Sequence, residues 1–155
     1  MKVILSGGGT GGHVYPAIAI ANKIKEHHPD AEILFVGTKA GIEAEIVPKY
    51  GYRIKYIDVQ GFRRKIDLEN VKRLIKFLKS LGDSKRIIKR FKPDLVIGTG
   101  GYVSGSVVLK ASKMGIKSCI HEQNSFPGMT NKMLSKNVDI VMTSFEDSHK
   151  RFPDQ

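Results

Sequence analysis

The chain has 155 residues, 41% of them hydrophobic, and this length favours one domain with a substantial core. Its one cysteine, Cys119, excludes an intrachain disulfide and is consistent with a reducing compartment. We expect no signal peptide and no transmembrane segment, because no apolar run approaches the roughly 18 to 20 residues that a bilayer span needs. The net charge of +11 favours a polyanionic partner.

Apolar runs rich in valine and isoleucine alternate with helical patterns along the chain. The predicted strands are residues 2–5, 32–36, 53–58, 94–97, 117–121 and 139–142. The predicted helices lie between them, at residues 14–26, 42–50, 68–91, 103–114 and 129–136. This alternation predicts an α/β fold, with a parallel sheet covered by helices on both faces.

The first glycine-rich loop, residues 6–13 with the sequence SGGGTGGH, directly follows the first predicted strand. Glycine lets backbone N–H groups approach an anion closely, and the following helix adds a favourable dipole. The loop also fits the G-x-G-x-x-G pattern of dinucleotide sites, which need an acid at the end of the second strand. Glu32 lies too early and Glu43 too late for that role. A nicotinamide-dependent oxidoreductase domain is therefore the less favoured alternative.

His13 ends this loop and is expected at or near the N-cap of the first helix. A helix N-terminus disfavours the imidazolium form, so the ring would be neutral and able to accept a proton near neutral pH. His13 is therefore a candidate general base for a hydroxyl nucleophile. A capping or packing histidine is the alternative.

Residues 62–92 form a basic segment with twelve lysines and arginines but only three acidic residues. One helical stripe in this segment is expected to pack on the sheet: Leu68, Val71, Leu74, Ile75, Leu78 and Leu81. Other apolar groups and the cations among them predict a contact with an anionic membrane surface, at Phe62, Arg63, Arg64, Ile66, Arg73, Lys76 and Phe77. A solvated basic face is the alternative. No nucleic-acid partner is expected, because no recognisable nucleic-acid motif is present.

Two further polar loops follow predicted strands. Residues 98–105, GTGGYVSG, form a second glycine-rich loop that opens a helix, and residues 121–128, HEQNSFPG, form a third loop. Ligands of open α/β sheets bind beyond the carboxyl ends of the strands. We therefore expect the three loops to line one crevice for a phosphate-bearing ligand, such as a diphosphate.

The third loop offers a second candidate catalytic group. Side chains alternate along a strand, so either His121 or Glu122 must point away from the crevice. Glu122 could orient a base or bind sugar hydroxyls, or it could be a buried carboxylate with satisfied hydrogen bonds. Asn124 is either a sugar ligand or an ordinary turn residue, and Tyr102 could stack, hydrogen-bond or pack. No histidine and cysteine cluster has metal-ligand spacing, so we expect no metal and no cofactor.

Three motifs in this order resemble those of the MurG family of bacterial cell-wall glycosyltransferases. They are GGTGGH at 8–13, GGYVSG at 100–105 and HEQN at 121–124, and the likeness continues through GMTNK at 128–132. The resemblance implies that residues 1–155 form the N-terminal, acceptor-binding, Rossmann-like half of a GT-B enzyme. The C-terminal donor-binding domain would be absent from this chain.

The resemblance implies an inverting transfer of N-acetylglucosamine from UDP-GlcNAc to lipid I, giving lipid II, without an essential metal. His13 would deprotonate the acceptor hydroxyl. The implied acceptor-diphosphate site comprises Gly9, Gly11, Gly12, His13, Gly100, Gly101, Tyr102 and Ser104, and the implied donor contacts are Thr10, Gly11, Gly12 and Asn124. The protein would bind the cytoplasmic face of the inner membrane peripherally, and the isolated half would be inactive. A basic membrane-surface module without catalysis is the remaining alternative.

Overall fold

Six parallel strands form one sheet in this protein, whose computed structural model describes residues 1–62 and 68–152. The strands are β1 (Lys2–Gly7), β2 (Glu32–Gly37), β3 (Arg53–Tyr56), β4 (Leu95–Gly100), β5 (Lys117–Glu122) and β6 (Ile140–Thr143). The helices are α1 (Gly11–His27), α2 (Glu43–Lys49), α3 (Leu68–Phe91), α4 (Tyr102–Lys113), α5 (Met129–Ser135) and α6 (Glu146–His149). The predicted α/β class is confirmed, and α6 was not predicted.

Alternating side chains of the strands enter two cores, one on each face of the sheet. Val3 and Leu5 of β1 pack with Val14 of α1, whereas Ile4 between them packs with Ile88 of α3 on the opposite face. All five side chains are essentially fully buried. Burial on both faces explains why the strands are continuous apolar runs, and each such side chain contributes about 1.5–3 kcal/mol.

The order of the strands in the sheet places the site. The sheet runs β3-β2-β1-β4-β5-β6, so the chain moves outward from β1 to β3 and then crosses to β4 on the other side of β1. Such a reversal opens a crevice beyond the carboxyl ends of the two central strands, where ligands of open parallel sheets bind. Both glycine-rich loops leave those two ends, so they lie side by side.

The ends of the central elements differ from the prediction because the glycines take part in the sheet. β1 continues to Gly7 and β4 to Gly100, and these two residues pair after a register shift that follows Ser6. Helix α1 begins at Gly11 with Thr10 as its N-cap, so His13 lies within the first turn. β3 ends at Tyr56, two residues earlier than predicted.

The apolar stripe of α3 faces solvent, and the prediction that it packs on the sheet is wrong. Five of its large side chains are 48–82% exposed: Leu68, Val71, Leu74, Ile75 and Leu78. The buried face of α3 carries Ser80, Ser84 and Ile88 instead. Ser80 Oγ lies 2.6 Å from Ser106 Oγ of α4. Small side chains let the two helices pack closely, and because they have little hydropathy the sequence pattern pointed to the wrong face.

Candidate active site

Two hydrogen bonds join the first glycine-rich loop and α1 to the end of β4. The Gly8 N–H donates to the Gly100 carbonyl at 3.3 Å, and Thr99 Oγ1 donates to the His13 carbonyl at 2.6 Å. These contacts hold the first turn of α1 against the second glycine-rich loop. The predicted meeting of the two loops is therefore confirmed.

The imidazole of His13 lies between the two loops in a defined orientation. Its Nδ1 is 3.1 Å from the carbonyl oxygen of Gly8. A carbonyl only accepts hydrogen bonds, so Nδ1 carries the proton in the neutral ring and Nε2 keeps its lone pair. A Cβ atom on Gly100 would lie only 2.9 Å from Nε2, and Gly100 has a φ of +116°. Glycine at this position leaves the space that the ring occupies.

Burial controls the protonation of His13. Partial burial lowers the pKa of the imidazole below its ordinary value, and the negative charges of Glu122 and Glu43 offset part of that decrease. The ring is therefore mostly neutral at pH 7. With its hydrogen on Nδ1, it can accept a proton at Nε2, which is the property that a general base requires.

The N-terminus of α4 presents backbone donors beside His13. Gly101 is its N-cap, and the first turn contains no acidic residue. Within residues 1–62 and 68–152, no acceptor contacts the backbone N–H groups of Tyr102, Val103 or Ser104. Free N–H groups at the positive end of a helix dipole are suited to bind an anion.

Two side chains of the second glycine-rich loop, those of Tyr102 and Ser104, pack against glycines of other segments. The Tyr102 ring is half-exposed and lies over Gly61, in the space that a Cβ atom there would fill. Ser104 is fully buried beneath Gly98, and its hydroxyl has no hydrogen-bond partner in the described part of the chain. Neither the hydroxyl nor the backbone N–H of Ser104 is therefore exposed in this structure.

The first glycine-rich loop offers fewer free donors than the sequence indicates. The Gly9 N–H donates to Glu43 Oε2 at 3.0 Å, so this group is not free for a phosphate. The N–H groups of Gly11 and Gly12, in the first turn of α1, contact no acceptor among the described residues. Thr10 is exposed, and its side chain makes no capping hydrogen bond.

Glu122 closes the third loop on itself. Its carboxylate is 1% exposed and accepts hydrogen bonds from the backbone N–H groups of Asn124 and Gly128, each at 3.0 Å. It also accepts from the side-chain Nδ2 groups of Asn124 and Asn131, each at 2.9 Å. Of the two interpretations of Glu122, the geometry favours the buried, satisfied carboxylate. It influences His13 through its charge rather than by taking a proton.

His121 and Asn124 flank this carboxylate. Nε2 of His121 lies 3.2 Å from the Ser144 hydroxyl, and burial lowers the pKa of this imidazole. Because Nδ2 of Asn124 is engaged with Glu122, the amide oxygen is the part of this side chain left for a ligand. His121 thus pairs toward β6, whereas Glu122 anchors the loop.

Residues 3–143 match the family described as glycosyltransferase family 28 N-terminal domain. The chain belongs to glycosyltransferase family 28. It is 70% identical over 154 residues to a Clostridioides difficile (strain 630) protein named UDP-N-acetylglucosamine--N-acetylmuramyl-(pentapeptide) pyrophosphoryl-undecaprenol N-acetylglucosamine transferase, a match covering 99% of this chain and 38% of that protein. An Alkaliphilus oremlandii (strain OhILAs) protein of the same name is 61% identical over 152 residues, a match covering 98% of this chain and 42% of that protein.

Solved structures agree with this family 28 fold. A crystal structure of Acinetobacter baumannii MurG matches with a TM-score of 0.83 and 34% identity, covering 99% of this chain and 43% of that one. A Neisseria meningitidis UDP-GlcNAc 2-epimerase, bound to UDP-GlcNAc, shares the fold alone, with a TM-score of 0.69 and 16% identity over 97% and 42% of the two chains. The predicted Rossmann-like half of a GT-B architecture is confirmed. The chain spans about two fifths of the length of the curated relatives it matches.

Glu43 is the site residue of this family 28 chain that the sequence reasoning missed. Its carboxylate lies beside the first glycine-rich loop, at the end of β2, although it is 34 residues from Gly9 along the chain. It is 1% exposed, and both oxygens accept hydrogen bonds from Gly9 or Thr38. It therefore has no free oxygen to offer a ribose, and the family assignment replaces the nicotinamide alternative. No local signal in the sequence pointed to this contact.

The predicted membrane residues of the family 28 chain divide into three groups. Arg63, Arg64 and Ile66 lie outside the described residues. Phe62 is exposed, whereas Phe77 is half-buried against the core, with the two ring centroids 6.2 Å apart. The Arg73 guanidinium donates to the Gly61 carbonyl, and Lys76 pairs with Asp58 at 3.2 Å. Phe77 therefore packs against the core, and its membrane contact stays a prediction.

The described parts of the chain contain neither a membrane-spanning helix nor a cluster of metal ligands. No helix within residues 1–62 and 68–152 is long and apolar enough to cross a membrane. The same residues contain no group of three or more histidine, cysteine, aspartate or glutamate side chains that could hold a metal ion.

Proposed function

We propose that this chain is the acceptor-binding half of an inverting N-acetylglucosaminyltransferase. The whole enzyme would transfer N-acetylglucosamine from UDP-GlcNAc to lipid I and form lipid II for peptidoglycan synthesis. The names of the 70% and 61% identical relatives describe such a transfer and support this substrate pair. The observation that carries the proposal is the His13 ring, whose Nδ1 faces the Gly8 carbonyl and whose Nε2 lies beside Gly100 at the crevice.

His13 is the base in the proposed reaction. Nε2 takes the proton of the acceptor hydroxyl as the hydroxyl oxygen attacks the anomeric carbon of N-acetylglucosamine. The bond from that carbon to the UDP oxygen breaks, UDP leaves, and the configuration at the carbon inverts. A positioned general base contributes a factor of about 10² to 10⁴ to the rate.

The acceptor diphosphate binds at the N-terminus of α4 in this proposal. The backbone N–H of the exposed Tyr102 supplies a donor at this helix end, and those of Gly11 and Gly12 complete the site from α1. The donor sugar nucleotide approaches the same crevice on the side of Thr10 and the Asn124 amide oxygen.

A membrane contact would bring the domain to its lipid-linked substrate. We propose that the exposed face of α3 inserts its apolar side chains into the headgroup region, and that the lysines beside them bind anionic lipids. Lys72 and Lys79 are exposed on this helix, and each such cation contributes about 1 kcal/mol near an anionic leaflet. The protein would then be peripheral at the cytoplasmic face of the inner membrane.

The decisive experiment uses a chimera in which residues 1–155 replace the matching N-terminal part of the Clostridioides difficile transferase. His13→Gln should lower kcat by at least about 100-fold while changing the KM for UDP-GlcNAc little, because glutamine cannot accept the proton. His28→Gln, at the exposed end of α1, is the matched control and should leave kcat unchanged. Undiminished turnover in His13→Gln would remove this residue from the mechanism.

Ligand binding is measured on the 155-residue chain by NMR. A short-chain lipid I analogue should shift the amide signals of Tyr102, Val103 and Ser104, and UDP-GlcNAc should shift them weakly or not at all. The opposite pattern would mean that the crevice serves the nucleotide. Binding to anionic liposomes without a response to either ligand would favour a membrane module without catalysis.

A further inference from the structure

The Glu43 carboxylate is buried, and all the hydrogen bonds that it accepts come from neutral groups. Oε1 accepts from the Thr38 backbone N–H at 2.9 Å and from the Thr38 hydroxyl at 2.8 Å, and Oε2 accepts from the Gly9 N–H at 3.0 Å. None of the ion pairs among the described residues includes Glu43. The Glu43 carboxylate therefore occupies a cradle of two backbone N–H groups and one hydroxyl, with no cation beside it.

Glycines leave the space that the Glu43 carboxylate occupies. Cβ atoms on Gly8 or Gly41 would lie 2.4 Å and 2.1 Å from its oxygens. Backbone without side chains therefore approaches the acid from two segments of the chain. The first glycine-rich loop packs around a carboxylate of the protein itself at this point, rather than around a ligand.

One peptide unit connects this carboxylate to His13. The Gly9 N–H that donates to Glu43 and the Gly8 C=O that accepts from His13 Nδ1 are the two ends of the same planar peptide group. A hydrogen bond from its N–H to a carboxylate polarises the group and makes its carbonyl oxygen a stronger acceptor. A stronger acceptor at Gly8 holds the hydrogen on Nδ1 and leaves the lone pair on Nε2.

We propose that Glu43 is a positioning residue that orients the His13 imidazole and selects its tautomer through the Gly8–Gly9 peptide. This role rests on the proposed function of His13 as a base. It assigns the first glycine-rich loop two separate tasks. The Gly8–Gly9 peptide links Glu43 to the base through its two hydrogen bonds, whereas the N–H groups of Gly11 and Gly12 remain available to the substrate.

The test is an NMR titration of the 155-residue chain, read from the His13 ring nitrogens. In the unaltered chain, the neutral ring should be predominantly the Nδ1–H tautomer. Glu43→Gln should shift the Gly9 amide proton upfield, reduce the share of that tautomer and lower the pKa of His13. The pKa falls because a neighbouring negative charge is lost, which leaves Glu122 as the acid that raises it. Glu45→Gln, an exposed acid of α2 paired with Lys49, is the matched control and should change none of these signals.

Activity of the chimera provides the second readout. Glu43→Gln should lower kcat more than tenfold with little change in the KM for UDP-GlcNAc, and Glu43→Asp, which keeps the charge on a shorter side chain, should recover part of the loss. An Nε2–H tautomer in the unaltered chain would overturn the proposal even if no variant folds. So would a folded Glu43→Gln protein with an unchanged tautomer and pKa. If His13→Gln kept full turnover, the proposed function would fail, but the NMR result would still decide the link between Glu43 and the ring.

Discussion

Gly100→Ala is the sharpest test of how the second glycine-rich loop accommodates His13. The substitution adds one methyl group at a φ of +116°. That carbon would lie 2.7 Å from Cδ2 and 2.9 Å from Nε2 of the His13 ring, closer than real Cβ contacts allow. The ring must therefore rotate away, and its hydrogen bond to the Gly8 carbonyl must break.

Two costs add in this variant. Holding alanine in this backbone region costs about 1–3 kcal/mol. Loss of the hydrogen bond between Nδ1 and the Gly8 carbonyl costs about 0.5–1.5 kcal/mol more. We therefore expect the free energy of unfolding to fall by about 1.5–4.5 kcal/mol. Gly115→Ala provides the control, because Gly115 has a φ of +72° but no heavy atom within 4 Å of its added Cβ, so only the backbone cost of about 1–2 kcal/mol applies.

Urea denaturation of the 155-residue chain measures both free energies. A double-mutant cycle isolates the contact, because in a His13→Ala background there is no ring for the methyl group to meet. Gly100→Ala should then cost about 0.5–1.5 kcal/mol less than it does beside His13. Equal costs in the two backgrounds would refute the reasoning that Gly100 exists to make room for the ring.

Three other predictions concern the third loop, α3 and the effect of pH. Glu122→Gln should lower the free energy of unfolding by about 2–4 kcal/mol, because the two donors that share one carboxylate oxygen would then face an amide NH₂. Glu146→Gln, in the exposed pair with Lys150, should change the free energy of unfolding by less than about 0.5 kcal/mol. Leu74→Glu, on the exposed face of α3, should weaken retention by anionic liposomes. It should change the free energy of unfolding by no more than about 0.5 kcal/mol. A large loss of stability would mean that this face is buried. His13 has a lower pKa in the folded chain than in the unfolded chain, so the unfolded chain binds more protons below about pH 6.5 and stability should decrease as the pH falls through this range. His13→Gln should make that decrease shallower in urea titrations at several pH values, and an unchanged slope would contradict the lowered pKa.

Local patterns in the sequence predict most of the sheet and the place of the site. Val3, Ile4 and Leu5 are a continuous apolar run because β1 is buried on both faces, and such runs followed by glycines are visible without a structure. The general rule that ligands bind at the carboxyl ends of parallel strands then brings the three loops together. His13 was identified in this way, and its lowered pKa agrees with a mostly neutral ring, whereas its role as a base stays a prediction.

The errors arise where a contact depends on distant residues. The buried face of α3 is chosen by Ser80 and Ser84, whose small side chains allow a close approach to α4, and hydropathy carries no signal for such a fit. The burial of the Ser104 hydroxyl under Gly98 is a further tertiary contact for which the sequence carries no signal.

Sequence alone determined the fold class, the order of the strands and helices along the chain, the family motifs and the candidate base, since each depends on the spacing of neighbouring residues. The tertiary structure alone shows the surroundings of two acids. Glu43 reaches a loop 34 residues earlier in the chain, and Glu122 folds the third loop around its own carboxylate. The Gly9 donor reaches Glu43 only when the sheet brings β1 beside β2, and the donors to Glu122 converge only when the third loop has folded, so the spacing of residues in the sequence shows neither set.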